Sequence, residues 1–310
     1  MKKFIIKFLV FSLLFIFLFS ILTNVFVRKG NGYGTDVLSF YNEPKNSLDL
    51  IFFGSSHSYS TFNPIILEAE TGLKSYNFAT QQQPLWITYH YMIESLKTQK
   101  PKYFVLEILM TSVNDNYMEE GVNRDAIDKM KFSFNKIQAI NASVENASDR
   151  INYYINFIKY HSRWNDLSSS DVKDLLKSNI SNTKGFTYLE GKNGTAEKID
   201  VNSISEAKEL SEKNEIYINK IIDLAKEKNI ELILVKTPCT MTEEKQKYYN
   251  TIEKIAKEKN IKYLNYNLIY DVIDLDFEND FYDGGHLNGE AAEKITKHFS
   301  KYLNLKKEIK

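Results

Sequence analysis

A single cysteine, Cys239, stands among 310 residues. An intrachain disulfide framework is therefore excluded, and Cys239, just after an apolar run, is expected to be a small core residue. No charge of either sign is in excess, because 40 Lys and Arg balance 40 Asp and Glu. Nothing in that balance draws the chain to nucleic acid, so no nucleic-acid partner is expected. Histidine is scarce, at five residues. Three of them, His90, His161 and His298, fall on helix-like stretches without ligand spacing, and neither a metal nor another cofactor is expected.

The apolar residues, by contrast, are concentrated at the N-terminus. Lys2, Lys3 and Lys7 precede an uncharged stretch from Phe8 to Val27. As a helix, that stretch is about 30 Å long, the thickness of a bilayer core. Bulky residues continue to Val27 with no small-residue cleavage site, unlike a removable signal peptide. An uncleaved single-pass signal anchor over 8–27 is expected, with residues 1–7 as a cytoplasmic stub. The lysine bias at the start places the remaining chain outside the cytoplasm.

Residues 28–47 carry glycines and a proline and suit a linker. From Leu48 to the C-terminus, short apolar runs alternate with helix-like segments. The expected strands are Leu48 to Phe53, "KSYNFA", Lys102 to Leu109, "IELILVK" and "IKYLNY". Such alternation predicts an α/β domain, a mainly parallel sheet flanked by helices on both faces. The hexapeptide "AKEKNI" occurs at Ala225–Ile230 and again at Ala256–Ile261. Each copy ends a helix with an asparagine suited to a left-handed cap and then starts a strand. Between Asn116 and about Ile199 the pattern changes to polar, aromatic-rich and helix-prone ("DRINYYINFIKYHSRW") and then to a turn-rich "KGFTYLEGKNG", and a helical insertion is expected there.

The chemistry-bearing residues lie near the two ends of this domain. "LIFFGSSHS" carries an apolar strand into Gly54, where a chain can turn sharply and present Ser56 at a helix start. Far downstream, "YDGGHLNG" places Asp283 and His286 in one glycine-bent loop, with Asn288 positioned to cap the final helix. A serine hydroxyl needs a base to take its proton, and that base needs a third group to hold its other ring nitrogen. Ser56, His286 and Asp283 supply those three roles.

Together these two motifs resemble blocks I and V of the SGNH (GDSL-type) hydrolases. "GSS" stands where that family has Gly-Asp-Ser. The resemblance implies a flavodoxin-like sheet, Ser56 as nucleophile, and an oxyanion hole from the N–H groups of Ser56 and Ala79, the latter in the block-II-like "YNFATQQQP". "SVND" resembles block III and assigns Asn114 as a side-chain donor. His57 is expected beside the nucleophile, in the substrate pocket; His161 and Trp164 are candidate acceptor-cleft residues, with packing of the insertion against the core as the alternative. An anchored domain with a helical insert is similar to a narrower set, the extracytoplasmic partners of membrane-bound O-acyltransferases in polysaccharide O-acetylation and teichoic-acid D-alanylation. That similarity implies such a partner and an envelope polysaccharide or teichoic-acid-like acceptor. Simple ester hydrolysis and a non-catalytic acceptor-binding scaffold are the alternatives. An α/β-hydrolase elbow also fits "GSSHS", but that fold has its acid well upstream of the histidine, whereas Asp283 lies three residues before His286.

Overall fold

The structure, a computed structural model, describes residues 1–27, 37–115, 119–173 and 181–305. Residues 28–36 of the expected linker, and Asn116 at the expected start of the insertion, lie outside them.

Five parallel strands form one sheet in the order β2-β1-β3-β4-β5. They are β1 (Leu50–Phe53), β2 (Ser75–Asn77), β3 (Tyr103–Glu107), β4 (Glu231–Lys236) and β5 (Lys262–Asn265). Alternate residues of β1, β3 and β4 feed two separate cores. Ile51, Phe53, Phe104, Leu106, Leu232 and Leu234 face helices Leu85–Leu96, Glu212–Glu227 and Glu243–Lys259. Leu50, Phe52, Val105, Ile233 and Val235 face helices Pro64–Thr71 and Gly289–Leu305. Burial on both sides explains why these strands are apolar throughout instead of alternating. The strand order is the flavodoxin-like one, whose topological switch lies between β1 and β3. The expected fold is the observed one.

Both "AKEKNI" copies close in the same way. Asn229 and Asn260 each adopt φ of 55°, and the Ile230 and Ile261 N–H groups donate back to the Ala225 and Ala256 carbonyls. The 6→1 bond satisfies a terminal helix carbonyl and turns the chain into the next strand.

The insertion is helical in its first part and irregular in its second. Helices occupy Glu120–Asp128, Phe134–Ser143, Ala147–Tyr154 and Asn156–Tyr160, with a last short one at Ser169–Lys173. From Ser181 to Ser211 the chain is instead an irregular strap. Its glycines and isolated polar residues offer no helical period, and besides local turns such as Phe186 N–H to the Thr183 carbonyl it makes backbone hydrogen bonds to the domain beneath. The Asn77 N–H at the end of edge strand β2 donates to the Lys184 carbonyl, and Thr187 N–H donates to the Tyr59 carbonyl. Further on, Gly289 N–H donates to Leu189 and Asn193 N–H to Tyr282. The strap thus runs from the edge of the sheet to the loop that holds His286. At Gly185 (φ +84°) a Cβ would lie 2.0 Å from the Asn77 carbonyl oxygen, so only glycine permits this approach.

Candidate active site

Gly54 leaves β1 at φ +133°, a conformation closed to side chains. A Cβ there would also lie 2.9 Å from both the Cβ and the carbonyl oxygen of Glu107 on the neighbouring strand. The turn delivers Ser55 and Ser56 at the carboxyl end of the sheet, on the β1/β3 switch. Ser55 is buried and is the N-cap, accepting from the His57 N–H. The helix it starts is a single turn, Ser56–Tyr59, and Asn63 and Pro64 begin a separate helix that ends at Gly72. The dipole of the single turn is correspondingly small.

The Asp283–His286 loop meets this turn. His286 Nε2 lies 2.8 Å from Ser56 Oγ, and His286 Nδ1 lies 3.0 and 3.1 Å from the two oxygens of Asp283. Asp283 Oδ1 also accepts from the Gly285 and His286 N–H groups, at 2.7 and 2.8 Å. These bonds fix the carboxylate before it holds the ring. Its acceptance from Nδ1–H leaves the Nε2 lone pair for the Ser56 hydroxyl proton. Asn288 accepts from Ala291 N–H at the start of the last helix, which anchors the loop behind His286. The side chains of His286 and Asp283 are 25% and 34% exposed, so the relay opens to solvent.

The structure distributes the other candidates unevenly. Ala79 is buried two residues beyond Asn77, whose side chain bonds Ser58 through both its oxygen and its nitrogen. Among the described residues neither Ser56 N–H nor Ala79 N–H has a protein acceptor. Asn114 is exposed. Its neighbours Val113 and Asp115 are tied to the start of helix Glu212–Glu227, and no hydrogen bond joins Asn114 to Ser56 or His286 among the described residues. His161 and Trp164 are exposed on a short turn beside the N-terminal helix, where Arg163 bonds the Phe26 carbonyl. Neither meets the Ser56–His286 pair in the described contacts.

His57 does meet it. Its ring is buried, 4.8 Å from the ring of His286 between centroids. Burial first, and then the positive charges of Lys236 and Lys245, hold its pKa well below the usual 6.5. His57 Nδ1 lies 3.3 Å from Thr237 Oγ1, whose hydroxyl donates to Glu107 Oε1 at 3.4 Å. Because that hydroxyl proton is committed to the carboxylate, its oxygen accepts from Nδ1–H of a neutral imidazole. Glu107 further accepts from Ser55 Oγ, Leu109 N–H and the ammonium of Lys236. Lys236 and Glu107 are both completely buried.

A neutral, buried histidine makes stability depend on pH. With its folded pKa below 6.5, His57 takes up a proton more readily in the unfolded chain, so stability is lost as pH falls through and below 6.5. Melting temperatures of the detergent-solubilised protein are expected to fall between about pH 7.5 and about pH 5. The drop should be smaller in His57→Gln, which has nothing to protonate. An identical drop in both proteins rules out this role for His57.

Glu107, Thr237 and Lys236 are absent from the motifs that the sequence offers. Their one signal is a charged residue, of opposite sign in the two, closing the apolar runs of "YFVLE" and "LILVK".

No protein-family model and no curated protein sequence matches the chain. Among solved structures it is similar to a G-D-S-L family protein from Desulfitobacterium hafniense DCB-2, at 12% identity and a TM-score of 0.42, over 83% of this chain and 99% of that one. It is also similar to an acetyl xylan esterase from Butyrivibrio proteoclasticus, at 12% identity and a TM-score of 0.34, over 85% of this chain and 64% of that one.

Proposed function

We propose that this chain is an SGNH-type serine enzyme that acts on acyl esters of an envelope glycan outside the membrane, to which its N-terminal helix tethers it. The observation that carries this reading is the continuous relay from Ser56 Oγ through His286 to Asp283. Ser56 Oγ attacks the acyl carbonyl while its proton passes to His286 Nε2. The N–H groups of Ser56 and Ala79 receive the oxyanion. Collapse expels the first alcohol, which takes the proton from Nε2 and leaves an acyl-Ser56 ester. A second hydroxyl then gives its proton to Nε2, attacks that ester and regenerates Ser56.

The identity of that second hydroxyl separates two readings. In the first, a glycan hydroxyl receives the acyl group and a membrane-bound O-acyltransferase supplies it. The strap supports this one, since it lines the triad loop and lays the half-exposed ring of Tyr188 against Gly289, three residues past His286. Such a ring is a surface on which a sugar can stack. In the second, water is the acceptor and the protein is an envelope esterase; the solvent exposure of His286 and Asp283 favours it.

The acyl content of envelope polysaccharide in a Ser56→Ala strain distinguishes them. Lower acylation than in the wild type supports transfer, and higher acylation supports hydrolysis. Unchanged acylation, with the variant present at normal level, rejects both.

A further inference from the structure

The N-terminal helix is not an isolated tether. The ring of Phe157, on helix Asn156–Tyr160, packs edge-on between Phe19 and Phe26, with centroid distances of 5.4 and 5.2 Å. Arg163 bonds the Phe26 carbonyl and pairs with Asp171, so the segments around both also hold the end of this helix.

This packing has a consequence for depth, given the reading that the N-terminal helix spans the membrane. The uncharged stretch begins after Lys7, and about 20 residues are needed to cross the hydrocarbon. The outer boundary therefore falls near Val27. Ending it at Phe19 would leave a span of only about 18 Å. Phe26 lies close to the boundary and Phe19 about 12 Å beneath it. A ring equidistant from both lies roughly 6 Å inside, within the range for helices that rest in the interface.

The surface around Phe157 suits that position. Ile151 on helix Ala147–Tyr154, Ile155 at the break after it and Ile158 on helix Asn156–Tyr160 are 44%, 39% and 40% exposed. Val172 is exposed as well, and Trp164, next to the boundary-level Arg163, is 70% exposed. Exposed aliphatic residues flanking Phe157 in the chain, with an exposed tryptophan and an arginine at the level of Phe26, are the residue types that a membrane interface takes.

We infer that the insertion is itself seated in the outer leaflet: Ile151, Ile155, Phe157 and Ile158 enter the acyl-chain region, and Trp164 lies among the headgroups. The domain then has two membrane contacts, and its orientation on the bilayer is fixed instead of swinging on a linker. This also accounts for the place of His161 and Trp164 away from Ser56. They belong to the membrane-facing side of the insertion.

The test uses the full-length protein in vesicles of phosphatidylethanolamine and phosphatidylglycerol. Cys239 is buried and stays in place. An environment-sensitive fluorophore is attached to Ile158→Cys, to Leu14→Cys as the reference within the span, and to exposed Lys254→Cys as the aqueous reference. Quenching is measured with spin-labelled lipids and with water-soluble iodide. The inference expects Ile158→Cys to be quenched by lipid and protected from iodide, as Leu14→Cys is. Iodide quenching at Ile158→Cys beside lipid quenching at Leu14→Cys overturns seating while keeping the anchor. Iodide quenching at both overturns the anchor as well. Protection at Ile158→Cys from both quenchers means that protein, not lipid, covers the patch, and overturns the inference too.

Discussion

Ser56→Ala is expected to lower kcat for an activated acetyl ester by roughly 10⁴- to 10⁶-fold, with little change in KM. The alanine methyl leaves His286 and Asp283 in place, so what is lost is the nucleophile and not the fold. Asp283→Asn is expected to cost about 10⁴-fold. Asp283 Oδ1 accepts from two backbone N–H groups and shares the ring Nδ1 with Oδ2. An amide has only one oxygen for that set, and its NH₂ group facing the ring favours the tautomer with its proton on Nε2. That tautomer cannot take the serine proton. Steady-state hydrolysis of p-nitrophenyl acetate by the detergent-solubilised full-length protein measures both. Turnover in Ser56→Ala above about a tenth of the wild-type rate removes Ser56 from the mechanism.

What the sequence made legible follows from the range of the interactions involved. Local geometry was readable. Asn229 and Asn260 announce their left-handed caps within a hexapeptide, and Asp283, Gly285 and His286 form their hydrogen bonds within one loop. The β1 and β4 runs were visible because strands covered on both faces are apolar at every position. Ser56 and His286, 230 positions apart, were joined only by the logic of acyl transfer, and the structure brings them to 2.8 Å. Of the strap, only the turn-rich composition of "KGFTYLEGKNG" was legible, not its course. Its conformation is set by the sheet edge and the triad loop to which it bonds, and nothing within it has a period. The placement of His161 and Trp164 was hidden for a related reason. Aromatic residues carry no sign of which surface they face, and it is the packing of nearby Phe157 on Phe19 and Phe26 that puts this segment beside the N-terminal helix and away from Ser56.

The Lys236–Glu107 pair was hidden as well, although it lies directly beneath the nucleophile turn, and it leads to a large expected effect on stability. Both side chains are fully buried, with the ammonium 3.4 Å from Glu107 Oε1 and 2.9 Å from the Thr237 carbonyl. Lys236→Met fills much of the same volume but leaves a carboxylate in the interior without its cation. The expected loss is about 3–5 kcal/mol. Glu107 still accepts from Ser55, Thr237 and the Leu109 N–H, so part of its negative charge remains satisfied, which places the value toward the lower end. Adding Glu107→Gln removes the stranded charge, and the double variant is expected to be more stable than Lys236→Met alone. The two substitutions are then strongly non-additive. Because Glu107 holds both the Ser55 cap and Thr237, which in turn orients His57, the double variant should recover stability without recovering full turnover. Chemical denaturation of the wild type and the three variants at neutral pH gives the coupling directly. A loss below about 1 kcal/mol in Lys236→Met, or additivity of the two changes, would show that the pair does not hold the floor of the site.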